Sequence, residues 1–200
     1  DIHNAIRIIN SYDDVQRRSE IKIIFEERKN EEEIKKCEIK INNKIFPFSY
    51  FFKFKNEGRY SIKYSFKNCL NSTSYMFSEC RNLIKIDLSH FNAEKVITMD
   101  NMFSDCNSLK KIDFFKNTQN VKNMDNMFFS CNSLKNVDLS SLNLQNVIYA
   151  KAMFYGCKSL TYVNLSSLNT QNSKNLMLIF NGCPSLDKKN IIIGNRGNQK

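Results

Sequence analysis

The apolar positions of this chain fall into two regimes. Across residues 1–69 they follow no fixed period, whereas beyond residue 70 the same residue types return every 25 or 26 positions. Cys80, Cys106, Cys131, Cys157 and Cys183 set the ruler, at separations of 26, 25, 26 and 26. A Phe stands three places before each Cys and usually a Met four before, giving MFSEC, MFSDC, MFFSC, MFYGC and IFNGC. Three places after come Leu83, Leu109, Leu134, Leu160 and Leu186. A period of this length marks an array of supersecondary units, each burying its apolar side against the next.

Within a unit, Val96, Met99, Met102 with Phe103, and Cys106 recur at intervals of three or four, which predicts a helix of about two turns. From Ile112 to Phe114 the step drops to two, so the chain turns from helix to strand. Neither so short a helix nor a lone strand is stable by itself, and stacking is what would hold them. In such a stack the cysteines are buried filling. Their Cβ atoms would point the same way rather than toward one another, which disfavours disulfides, and the two histidines, His3 and His90, supply no paired zinc ligands.

The first 69 residues read as a small β-rich module, with 70–187 as the repeats and 188–200 as a closing strand and basic tail. Ile2, Ile6 and Ile9 suit one side of a helix over residues 1–19, with an irregular lead-in as the alternative, and 21–25 reads as a strand. The polar run 26–36 is a solvated loop or helix turn. Cys37, Ile39 and Ile41 alternate with polar neighbours into a strand that turns at Asn42-Asn43 toward a second at 44–48. Segments 51–55 and 59–66 flank Asn56-Glu57-Gly58 and predict a hairpin. Such a module would cap the exposed first coil of the array.

Composition narrows the class. With 42% hydrophobic residues, five Gly and two Pro, the chain is neither a disordered nor a linker sequence. No apolar run approaches the roughly 20 residues of a membrane-spanning helix, and the first ten residues lack the pattern of a signal peptide. The net charge of +10 suggests nucleic acid at first, but residues 70–187 are nearly balanced and the excess sits at both ends, including Lys188, Lys189, Arg196 and Lys200. A Lys- and Asn-rich product of an AT-rich genome explains the charge better than a nucleic-acid site does.

The run NVKNMDNMFFSCNSLKNVDLSSLN, with its L-x-x-I-D-L core and the recurring Asn92, Asn117, Asn143 and Asn169, resembles the BspA-like leucine-rich repeat family over residues 70–187. Gly58-Arg59-Tyr60-Ser61-Ile62-Lys63 is similar to segments that precede such repeats. Phe114-Phe115-Lys116, one residue short, together with Ala150 and Ser173, departs from the family pattern. The resemblance implies an α/β fold, a leucine-rich-repeat solenoid of about five coils with one short strand and one short helix per coil, plus the β-rich N-terminal cap. It also implies asparagines bonding the backbone of adjacent coils, a protist or bacterial source, and roles in protein binding or cell-surface adhesion.

No phosphate-binding loop, dinucleotide fingerprint, zinc-protease or EF-hand pattern occurs, and the two histidines lie far apart, so no catalytic residue, cofactor or metal is assigned. The expected function is a non-enzymatic protein–protein interaction module using the solvent face of the repeat strands. Alternation places Lys85, Asp87, Ser89, Lys111, Asp113, Asn136, Asp138, Ser140, Tyr162, Asn164 and Ser166 on that face. Its acidic column would bond strand-end backbone or flanking lysines, or else a cation. The alternatives are a scaffold subunit of a larger complex, gripped by its edges and tail, or a surface adhesion protein. A cytoplasmic location is expected, with cell surface or secretion as the alternative.

Overall fold

The N-terminal elements arise from local signals that long-range contacts then rearrange. The computed structural model describes residues 5–20, 25–171 and 176–194. Strand β1 (Ile6–Arg7) precedes helix α1 (Tyr12–Arg18), whose start is fixed by Ser11, its hydroxyl accepting from the Asp14 amide at 3.1 Å. Asp13 and Asp14 in its first turn and Arg17 and Arg18 in its last complement the helix dipole. A 3-10 turn (Glu26–Arg28) and a single helical turn α2 (Glu31–Ile34) follow. Asn42 and Asn43, both at positive φ, then form the tight turn between β2 (Glu38–Ile41) and β3 (Lys44–Phe46).

Two expectations fail in this module. The helix expected over 1–19 is confined to α1, because β1 is drawn into an antiparallel pair with β4 (Phe51–Phe52). The hairpin around Gly58 does not form, since β5 (Ile62–Ser65) pairs with β2 and β4 with β1. The two flanks still meet through Phe54 and Tyr60, ring centroids 4.1 Å apart, but burial against β2 decides the pairing. Four of the five residues of the strand expected at 21–25 lie outside the described residues.

The leucine-rich-repeat solenoid expected from the sequence is not the architecture found. Among the described residues of 70–187 there is no helix, and the strands are divided among small separate sheets. β6 (Lys85–Asp87) and β7 (Lys111–Asp113) form one parallel pair. β8 (Asn136–Asp138), β9 (Tyr162–Leu165) and β10 (Ile191–Ile193) form another parallel sheet in the order 10-9-8.

What replaces the helix explains why it fails. Residues five before and one before each Cys sit in the left-handed region: Tyr75 and Glu79, Asn101 and Asp105, Asn126 and Ser130, Ala152 and Gly156, Leu178 and Gly182. A left-handed residue every fourth position stops an α-helix from propagating. The segment becomes a run of tight turns in which alternate amides have different duties. In the first repeat Met76, Ser78 and Cys80 donate within the turn, to Thr73, Tyr75 and Phe77 carbonyls. Tyr75, Phe77 and Glu79 donate instead to the next repeat, to Asp100, Met102 and Ser104 carbonyls at 2.8–3.1 Å. The same alternation recurs down to the bonds from Ala152, Phe154 and Gly156 to Met177, Ile179 and Asn181. Interval-three-or-four burial is therefore produced by turns bonded between repeats, not along a helix axis.

The interior consists of rows of like side chains. Phe77, Phe103, Phe128, Phe154 and Phe180 lie nearly parallel, with successive centroids 5.7, 5.8, 5.3 and 5.7 Å apart. Burying each interior Phe contributes about 2–3 kcal/mol, and each offset ring pair about 0.5–1.5 kcal/mol more. The cysteines form a second row of free thiols. Those of Cys106, Cys131, Cys157 and Cys183 donate at 3.0–3.1 Å to the Phe carbonyl of the preceding repeat. Burial pushes the thiols up, Cys80 and Cys157 to about 12, so they stay protonated and unreactive at neutral pH.

Candidate binding face

The residues singled out on the strands are all exposed or half-buried, while Ile86, Val137 and Val163 between them are buried and Ile112 is half-buried. Parallel register brings Lys85 beside Lys111 and Asp87 beside Asp113, and in the second sheet Asn136 beside Tyr162 and Asp138 beside Asn164. The two groups do not merge into one surface ladder. The second repeat is one residue short just after its strand, and it lacks the turn that Phe91, Leu142 and Leu168 close by donating to Leu88, Leu139 and Leu165. Asn117 adopts φ 64° there, and Phe115 buries itself against Phe91 at 5.5 Å. With the chain redirected, β7 and β8 are not paired.

The acidic column is held by two means. Asp87, Asp138 and Asn164 each accept from the amide two residues on, Ser89, Ser140 and Ser166, at 2.9–3.0 Å. These serines therefore close strand-end turns. Asp113, in the short repeat, has Phe115 at that place and takes Lys111 at 3.1 Å and Lys85 at 3.3 Å instead. Ser89 holds Asp87 below the usual carboxylate range, Ser140 does so for Asp138, and Lys111 followed by Lys85 does so for Asp113. Among the described residues no group of three or more His, Cys, Asp or Glu is placed to hold a metal ion.

The recurring asparagines behave differently from the expectation of bonds between coils. Asn92 and Asn143 accept from amides two residues along their own turn, Glu94 and Gln145. The bridge between repeats is made by Asn120 to the Glu94 carbonyl and Asn146 to the Gln119 carbonyl, both at 2.7 Å. Asn169 does both, accepting from the Gln171 amide and donating to the Gln145 carbonyl. Sequence reasoning also gave Ile192 no more than a closing role, at the sheet edge beyond this face. β10 runs in register with β9, which sets Ile192 beside Asn164, and it is 43% exposed.

These features define a strand-and-turn repeat protein whose outer face is divided between two sheets. The chain belongs to the family described as Mycoplasma protein of unknown function, DUF285, whose model matches residues 71–192. That match corrects the assignment to BspA-like leucine-rich repeats, in keeping with the absence of a helix from the described part of the repeats. No curated protein and no solved structure matches the chain. No helix among the described residues is long and apolar enough to cross a membrane.

Proposed function

We propose that the chain is a protein-binding module that acts without catalysis and presents the outward side of β6–β9 to a protein partner. One observation carries this reading. Along the parallel strands the inward position scarcely changes, Ile86, Ile112, Val137 and Val163, while its outward neighbour runs Lys85, Lys111, Asn136 and Tyr162. A position that varies at fixed register beside a uniformly β-branched core row is where recognition can be encoded without cost to folding. Two adjacent lysines sharing Asp113 suit an acidic group, and Tyr162 supplies an amphipathic contact near Asn136. The aromatic and the lysine pair sit on different sheets, which favours a protein epitope over a nucleic-acid track. Seven free cysteines, six of them buried or half-buried, fit a reducing compartment such as the cytoplasm.

The test is retention of natural partners by the double variant Lys111→Glu with Tyr162→Ala. Binding should fall at least tenfold with the thermal midpoint unchanged. Undiminished capture by a folded double variant would overturn the assignment of this face.

A further inference from the structure

The two rims of the repeat stack carry opposite hydrogen-bonding character. In the turn segment that precedes each Cys, a repeat offers carbonyls toward its predecessor and amides toward its successor, whereas beside the strands amides such as Ile97, Lys122 and Thr161 donate back, so it is along the turns that the first rim needs donors and the last rim needs acceptors. At the first rim the need is met within the chain. The Asn10 amide donates to the Met76 carbonyl at 2.8 Å and its side chain to the Ser78 carbonyl at 3.2 Å. The Asn30 side chain donates to the Ser74 carbonyl at 2.8 Å and the Ser72 carbonyl at 3.4 Å.

At the last rim the matching amides are those of Leu178, Phe180 and Gly182, and none of them donates to any described residue. Apolar surface accompanies them. Leu178 is 47% exposed, Ile192 and Ile193 are 43% and 40% exposed, and β10 is an edge strand. Lys188 and Lys189 flank it, Lys189 paired with Asp187 at 3.2 Å.

We propose that this C-terminal rim is a docking edge for an extended acidic and apolar segment of another protein, added beside β10 and the Leu178–Gly182 turns. The chemistry selects that occupant. Backbone carbonyls or carboxylates satisfy a row of donors, acidic side chains meet the lysines, and alternate apolar residues cover Leu178 and Ile192. A second copy of this chain brings donors against donors and lysines against lysines when the two C-terminal rims meet, and its other rim is already closed by Asn10 and Asn30. The site is separate from the outward side of β6–β9, so each reading stands or falls by itself.

The experiment titrates the chain with the peptide acetyl-EVEVDVE-amide and with its lysine counterpart acetyl-KVKVKVK-amide, following backbone amide resonances. The acidic peptide should shift Leu178, Phe180, Gly182 and residues 191–193, and the lysine peptide should bind at least tenfold more weakly. Ile192→Glu, and separately Lys188→Glu with Lys189→Glu, should each weaken the acidic peptide at least fivefold, while Tyr162→Ala leaves it unchanged. Equal binding of both peptides, shifts confined to the β6–β9 face, or a concentration-dependent dimer abolished by Ile192→Glu would overturn the proposal.

Discussion

The first and last repeats are built to one pattern, yet among the described residues one end is closed and the other is open. At the closed end Phe77 is buried, its edge carbonyls are met by two asparagines, and Arg28 reaches the buried Asp100 at 3.4 Å. At the open end Phe180 is only half-buried and the neighbouring amides have no acceptor among the described residues. The difference teaches that a stack of identical turns does not have identical ends. Its carbonyl rim can be closed by side-chain amides, which are compact donors, whereas its amide rim calls for acceptors that are not found among the described residues.

Truncating the Phe row should separate the ends most sharply. Phe128→Ala or Phe77→Ala should cost about 3–5 kcal/mol in urea unfolding, and Phe180→Ala less than half of that, because a half-exposed ring leaves no enclosed cavity. Equal losses would mean that the open end is covered in solution. Next in size, Asn10→Ala with Asn30→Ala strips the donors from the closed rim. It should destabilise by about 2–4 kcal/mol, since carbonyls buried beneath the N-terminal module lose their partners. If calorimetry finds no loss, water replaces the asparagines and the rim is not sealed.

Cysteine substitutions give a smaller contrast. Cys131→Ala removes a fully buried thiol and its bond to the Phe103 carbonyl, for about 1–2 kcal/mol, while the half-buried Cys183→Ala should cost a few tenths. The last effect is electrostatic and belongs to the closed end. Arg17, then Tyr50 and Lys35, hold Glu31 down to about 2 from an ordinary 4.5. A carboxylate depressed in the folded state stabilises above its unfolded pKa, and that contribution is lost as pH falls from about 4.5 toward about 2. Discounted for solvent, it is about 1 kcal/mol. Glu31→Gln should flatten this part of the stability–pH curve, and an unchanged curve would show that the Arg17 pair contributes nothing.

The repeat was legible because burial alone dictates its spacing: Cys, Phe and Leu must recur wherever rows of like side chains fill an interior. The helix was not, since intervals of three and four suit both an α-helix and successive three-residue turns. Of the residues that decide between them, Tyr75, Ala152 and Leu178 are of types that seldom adopt left-handed backbone, while Asn101 and Asn126 are of the type that enters it most readily after Gly. Gly156 and Gly182 carried that signal most openly. The outward residues of β6–β9 followed from simple alternation, and the missing residue after Phe114 marked where the face divides. Which residue Asp113 would bond was not readable, because it depends on Phe115 turning inward. Nor was the polarity of the rims, which is set by the direction in which each amide points.

That polarity gives the molecule a vector. Along the turns every repeat receives backbone donors on one side and passes them on from the other, so a whole extra unit of 26 residues inserted between Cys106 and Cys157 would leave both termini chemically as they are. A fractional insertion would set strand against turn at its seam. Length can thus vary in whole steps while the asparagine seal and the lysine-flanked edge keep their roles, and the distance between them becomes the quantity that such duplication adjusts.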